Sequence, residues 1–460
     1  MKTYLFWALG AIACAVALVV LWPQEAQTPE ERKALGDRRT IITYWDRHTG
    51  HEAEARKALI DEFNALPGNK VYVRTVIIGS RVEKLLTAIA GGAPPDVCSL
   101  GSSVLAQLAA QGCFMPIEDE VAKSSYLSQS NFLPHAWSLV SFDGHIWAIP
   151  TTTDTYCLLW NKNAFRRAGL DPEVPPKTIK EIEEFAVKLT VKKGGQIEQY
   201  GFVPWQPWIQ TYMWGGLFGG KWFDEKTMLA SCANDPEIIK AFQWVQSFAI
   251  NPKKSEQLPF AVDPGLTAQN KLGGQYQSAN NPFYSGKVAM ITEGEWQCTF
   301  IPKYAPDLDW GVAPIPQPEG VPPLCFAPEC VVDAVPAGSR HPREAWEFLH
   351  WFYSPRPGGT SPASDYNFAI HNVPPRRDEA MQDRFISDPK FKVFINELLS
   401  KPGIILPPSP AAQYLLDKVE NYHEKMTFGW LPAEQAAQEI EDLANTEIRA
   451  AWKLSGRKQP

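Results

Sequence analysis

The sequence offers carboxylates and flat rings in pairs, and few residues arranged for nucleophilic or metal chemistry. Trp45 and Asp46 stand where the run TIITYW ends and a helical pattern begins. In open parallel sheets, ligands bind beyond the carboxyl ends of strands. A ring next to a carboxylate suits a polyhydroxylated ligand, because the ring covers apolar C–H faces while the carboxylate accepts several hydroxyl protons. Asp154, with Tyr156 two residues on, lies in the threonine-rich connection IPTTTDTY. Small-molecule sites concentrate at boundaries between lobes. Each residue also has a structural reading: Trp45 as core, and Asp46 or Asp154 as a helix cap or a solvated loop carboxylate.

Other constellations carry less. His48 and His51 form an isolated H-x-x-H without further spaced ligands, so neither metal nor cofactor is assigned. Glu293 and Glu295 flank one glycine, yet spacing alone does not set the separation that a glycosidase pair needs. No G-x-G-x-x-G or P-loop follows a strand, and G-x-S-x-G and H-E-x-x-H are absent, which weakens an enzyme reading. The stretch PWQPWIQTYMWGGLFGG, Pro204 to Gly220, gathers five rings among four glycines and leaves open whether it is core or a platform.

The elements that must position these groups alternate. TIITYW, VYVRTVII and PDVCSL read as strands separated by the helical patterns HEAEARKALIDEFNAL and VEKLLTAIA, the second stopped by Gly91 and Gly92. This order predicts a parallel sheet. A second unit begins near Gly144 and includes HIWAIP, TYCLLWNKNAF and a helix opened by the capping box Thr178 to Glu181. VAMITEG, WGVAPI and ECVVDAVPAG follow, then a helix with Pro342 in its first turn and an amphipathic helical C-terminal third. At 460 residues the chain is too long for one typical core, since single cores stop growing at roughly 250 to 300 residues. A net charge of -7 without a long basic run excludes nucleic acid as a partner. The apolar run from Tyr4 to Trp22 predicts an export or anchoring segment over 1–23, and the polar residues 24–39 a tether. Seven cysteines lie beyond it without a C-x-x-C pair, most of them expected as small buried hydrophobes.

The ordered set ITYWDRHTGHEAEARKALIDEFN, GGAPPDVCSL, GHIWAIPTTTDTYCLLWNKNAFRRAGL, FYSGKVAMITEGEW, WGVAPIPQPEG and AWEFLHWF resembles the extracellular solute-binding proteins of ABC importers, in their carbohydrate-binding branch. The resemblance implies an α/β fold of two lobes, periplasmic-binding-protein-like (type II), with lobe 1 at 40–152 and 316–353 and lobe 2 at 156–313 and 370–455. It implies hinge crossings near Thr152 to Tyr156, Pro314 to Pro323 and Ser354 to Phe368. Carried over by position, ligand contacts fall on Trp45, Asp46, Gly101, Ser102, Asp154, Tyr156, Gln206, Trp208 and Trp296, with Glu329 near the end of another crossing. Trp208 and Trp296 would stack on sugar faces, and Trp214 and Phe218 divide between core and contact. The glycines at 215, 216, 219 and 220 would turn the backbone beside a ligand.

The implied function is capture of a sugar or oligosaccharide by hinge closure and delivery to an ABC permease, by an exported monomer held at the membrane by its N-terminal segment. Glutamine at 206 and the absence of aromatic and charged residues after PDVCSL depart from the maltose-binding pattern. A glycerol phosphodiester or sugar acid is therefore an alternative ligand, with Arg47 as anion partner. A surface carbohydrate-active enzyme using Asp46 and Asp154 is an alternative of another class.

Overall fold

The structure, a computed structural model, describes residues 28–194, 196–205, 210–224, 226–249, 278–454 and 456. The apolar segment 1–23 and two site candidates, Gln206 and Trp208, lie outside the described residues. Among the described residues no helix is long and apolar enough to cross a membrane.

Two five-stranded sheets form the framework. The first contains β1 (Thr40–Asp46), β2 (Val71–Ile77), β3 (Val97–Gly101) and β4 (Ile149–Thr153), with α1 (Pro29–Gly36), α2 (Gly50–Ala65) and α3 (Val82–Ala90) among its early helices. The second contains β5 (Tyr156–Asn161), β6 (Val191–Lys193), β7 (Gln196–Phe202), β8 (Val288–Gly294) and β9 (Trp310–Ala313). The chain then pairs the short β10 (Cys325–Phe326) with β12 (Gly403–Ile404) and returns to the first sheet as β11 (Cys330–Ala334). The strand orders are β2-β1-β3-β11-β4 and β9-β5-β8-β7-β6.

β1 is parallel to β2 and β3, as the alternating pattern predicts. The sheet as a whole is mixed, because β11 runs antiparallel to both β3 and β4. The returning strand enters from the other sheet and so runs in the opposite sense. The second sheet is mixed for a similar reason, with β8 parallel to β7 and antiparallel to β5.

Three crossings lie side by side between the sheets. Thr153 and Asp154 lead directly from β4 to β5, the Asp154 N–H faces the Glu329 carbonyl at 3.4 Å, and the Thr153 N–H donates to the Val373 carbonyl at 3.0 Å. The Thr155 hydroxyl donates to the Phe326 carbonyl at 3.0 Å. The third crossing therefore falls at Asn372 and Val373. The stretch Ser354 to Phe368, expected as a crossing, instead leads into α4 (Pro362–Ile370), which packs on α2 and is capped by the Ser361 hydroxyl.

Residues 29–36, expected within a tether, form α1. Thr28 and Glu31 make a reciprocal capping box there, and Glu31 and Ala34 are buried. At Thr178 the hydroxyl caps the helix Ile179–Leu189 as expected, while the Glu181 carboxylate accepts from the N–H of Lys177. In the aromatic stretch Pro204 to Gly220, Trp205, Tyr212, Trp214 and Phe218 are buried, and the Trp214 indole donates to the Pro204 carbonyl at 2.8 Å. Gly215 sits inside the helix Gln210–Leu217, where a Cβ would meet the Trp222 ring at 2.4 Å. That glycine serves close packing and not a turn beside a ligand. The seven described cysteines are buried and unpaired.

Candidate ligand-binding cleft

A cavity of about 580 Å³ opens between the sheets, at the carboxyl ends of β1 and β3. That is within the roughly 300–1,000 Å³ typical of small-molecule sites. Val82, Leu85 and Leu86 of α3, Gly101 and Ser103 form one wall; Leu406 and Gln413, Leu416, Asp417 and Glu420 of α5 (Ala412–Thr427) form the other. The crossings supply the floor with Asp154, Tyr156, Pro328 and Glu329, and Arg47 reaches in from the end of β1.

Four sequence-derived candidates thus meet in this cavity: Gly101, Asp154, Tyr156 and Glu329. Gly101 is small for a reason. A Cβ there would lie 1.7 Å from Glu329 Oε1 and 3.1 Å from Arg47 Nη1, so the bare backbone lets that ion pair lie across the strand end. Arg47 Nη1 and Glu329 Oε1 are 3.8 Å apart, and the Ser103 hydroxyl donates to the same oxygen at 3.1 Å.

Asp154 accepts from Asn372 Nδ2 at 2.8 Å. Burial pushes its carboxyl up to about 7, with the Glu329 carboxylate adding to the rise and Arg47 and Asn372 opposing it. Tyr156 is held edge-on by Trp296, with ring centroids 5.5 Å apart, and leans on Phe326.

The remaining described candidates sit elsewhere. Strand side chains alternate faces, and Ile42, Tyr44 and Asp46 are the buried set of β1 while Trp45 points the other way. Asp46 has no exposure. Its Oδ1 accepts from the His48 N–H at 2.9 Å, and Oδ2 faces Arg56 Nε at 3.9 Å. Burial pushes this carboxyl up, yet the His48 hydrogen bonds and the Arg56 charge outweigh it and hold the group below its ordinary value. Asp46 is therefore a structural ion and does not line the cavity. Half-buried Trp45 packs against the core. Ser102 spends its hydroxyl on the Cys330 N–H at 3.0 Å, leaving the neighbouring Ser103 to face the cleft. Trp296 stands behind Tyr156.

Sequence reasoning missed Ser103, the α5 wall and Asn372, and Arg47 was noted only as an anion partner. Glu295, to which spacing alone assigned no chemistry, lies in the hinge: its Oε2 accepts from the Thr155 N–H and its Oε1 from Asn372 Nδ2, both at 3.0 Å. Burial, and then the charge of Asp154, hold its carboxyl well above the usual range.

Two mixed sheets that exchange strands across three adjacent crossings, with a polar cleft between them, define a two-lobed ligand-binding protein. The chain belongs to the bacterial extracellular solute-binding proteins, whose family description it matches over residues 49–358. It is 28% identical over 295 residues to the sn-glycerol-3-phosphate-binding periplasmic protein UgpB of Brucella abortus (strain 2308), covering 61% of this chain and 63% of that one. The chain thus spans less than two thirds of the length of such relatives. Among solved structures it is similar to CpMnBP1 with mannobiose bound, at a TM-score of 0.76 and 28% identity, covering 88% of this chain and 100% of the other. The sugar-binding protein MalE of Xanthomonas citri shares the fold at a TM-score of 0.72 and 20% identity, over 91% of this chain and 100% of the other.

Proposed function

We propose that the protein captures a sugar or oligosaccharide in this cleft, on the exported side of a membrane, and passes it unaltered to an ABC permease. The observation that carries the reading is the cleft itself: carboxylates, a serine hydroxyl and an amide converge from both walls and the crossings, around the ring of Tyr156. Such groups satisfy a rim of hydroxyls while the ring and Leu406 cover C–H faces. The likeness to a mannobiose-bound protein at 28% identity supports the same ligand class. The protein acts as a monomer, held near the membrane by residues 1–23, and closes about Asp154, Glu329 and Asn372. Trp208 is proposed as a stacking ring.

A glycerol phosphodiester or sugar acid is the alternative, raised by the UgpB relatives. The lining speaks against it. Among the described residues five carboxylates (Glu83, Asp154, Glu329, Asp417 and Glu420) face two guanidiniums (Arg47 and Arg81), and Arg47 already lies against Glu329. An enzyme using Asp46 and Asp154 has the further difficulty that Asp46 is enclosed in the core.

The test is calorimetry and tryptophan fluorescence of the protein against mannobiose, mannotriose, other mono- and oligosaccharides, sugar acids and glycerol phosphodiesters. Binding of a neutral sugar is expected near micromolar, about -8 kcal/mol, with the sugar recovered intact. Asp154→Asn and Trp208→Ala are each expected to weaken it by about tenfold or more, roughly 1.4 kcal/mol. Silence across all sugars, or tighter binding of an anionic ligand, overturns the reading.

A further inference from the structure

Glu295 has no solvent exposure and stands at the meeting point of the crossings. One side-chain nitrogen, Asn372 Nδ2, lies 2.8 Å from Asp154 Oδ1 and 3.0 Å from Glu295 Oε1. A primary amide has two N–H groups, so it can serve both oxygens at once. Asp154 comes from the first crossing, Glu295 from the turn after β8, and Asn372 from the third crossing. The triad therefore joins three chain segments where the lobes move.

Two carboxylates sharing one donor in a buried site cannot both ionise cheaply, so one keeps a proton. The two are not equivalent. Asp154 lines the cleft and feels Arg47, whereas Glu295 has no solvent exposure, does not line the cleft and meets the Thr155 N–H and Asn372. The proton belongs on the more enclosed group.

We propose that Glu295 and Asn372 are positioning residues for ligand capture: Glu295 is held protonated in the hinge, and Asn372 ties it to Asp154, which thereby faces the cleft as an ionised acceptor. The inference rests on the sugar-receptor reading for its ligand, while the proton on Glu295 is testable without one. Other groups face the pair. Glu329 and Glu52 add negative charge beside Asp154 and Arg47 adds positive charge. Glu293, Tyr156, Cys157, Cys298 and Cys330 stand near the pair or its members, and burial pushes the phenol, the thiols and the Glu293 carboxyl up, which keeps the phenol and thiols neutral. His371, next to Asn372, pairs its Nδ1 with the Thr299 hydroxyl at 2.7 Å.

A ligand hydroxyl donating to Asp154 favours the ionised form. Where Asp154 is protonated in the free protein, binding then releases a proton, and affinity falls as pH falls below about 7, the value to which the Asp154 carboxyl is raised. Infrared spectroscopy of the full chain at pH 7.5 should show a protonated-carboxyl C=O stretch that is lost in Glu295→Gln. Calorimetry with mannobiose, or with the best-bound sugar of the panel, in buffers of different ionisation enthalpy should show release approaching one proton at pH 6 and near zero at pH 8.5. Affinity should drop by up to about tenfold per pH unit through this range. Asp154→Asn should abolish the proton release, and Asn372→Ala should shift the pH midpoint of binding. Absence of a band that Glu295→Gln removes overturns the proposal, even where sugar binding is intact. Wild-type binding without proton release at pH 6 overturns its link to capture. If no sugar binds and the band is present, the sugar-receptor reading fails and the proton on Glu295 stands.

Discussion

Asp46 ends one strand of the first sheet and Asp154 follows another, and their environments drive them in opposite directions. Asp46 lies next to Arg56, which is wholly buried with it and also reaches Asp333 at 3.3 Å. Tyr44 and Tyr353 donate to the two oxygens of Asp333 at 2.8 and 2.7 Å, and the Tyr366 ring covers the guanidinium at 4.1 Å. Asp154 has no dedicated cation: Arg47 acts on it but lies against Glu329. The carboxyl with a buried guanidinium beside it is held below its ordinary value, and the one without is pushed up to about 7. Position at a strand end does not make a ligand contact. A carboxylate whose charge is already neutralised fixes structure, and one left short of a cation stays available to a ligand or a proton.

The comparison is broken most directly at Arg56. Arg56→Met leaves Asp46 and Asp333 buried without their cation, and removing one partner of such a group costs about 3–5 kcal/mol. Urea unfolding at pH 7 measures it. A loss below about 1 kcal/mol, the range of exposed pairs, would show that the core cluster is not held by its charge balance.

The second test reverses the sign. The folded Asp154 carboxyl titrates near 7 and an unfolded one near 3.9, so the native state binds the proton more tightly. The stability this confers is full below the unfolded value and is lost as pH rises through the folded value. Asp154→Asn, which keeps an acceptor for Asn372, should therefore be more stable than the wild type at pH 8 by roughly 1–3 kcal/mol, one pK unit being about 1.4 kcal/mol. Near pH 4 the two should converge. Asp46→Asn should do the opposite, losing stability at neutral pH and approaching the wild type only as pH falls through the depressed value of Asp46. The same sign for both variants would erase the distinction between the two sites.

Much of the framework was legible because it is local. The stripe of α2 buries Ile60 and Phe63, α3 stops at Gly91 and Pro342 opens its helix as the spacing predicts. The inward face of β1 was also written in the sequence: Asp46 shares the two-residue period of Ile42 and Tyr44, which outweighs its place at the strand end. Thr28 and Glu31 carried a capping box that a polar composition concealed. What could not be read locally depends on where the chain returns. β11 reverses the sheet because it arrives from the other lobe. Asn372 reaches Asp154 across 218 positions, with no motif to announce it. Ser102 and Ser103 differ only in the direction each side chain takes from the turn after β3.

The smallest perturbation tests whether the two sites are separate. Tyr353 donates to Asp333 Oδ2 at 2.7 Å and pairs with the Thr151 hydroxyl at 2.6 Å, so Tyr353→Phe removes one of the three groups that satisfy Asp333. Tyr44 and Arg56 remain. A hydrogen bond to a charged group contributes about 1.5–3 kcal/mol, and with two partners left the loss should fall near the lower end of that range. Tyr353 is buried and does not line the cleft. Ligand affinity should accordingly stay within about twofold, well under the 1.4 kcal/mol of a tenfold change. Equal losses of stability and of affinity would mean that the core cluster sets the geometry of the cleft through β11, which carries Asp333 and directly follows Glu329.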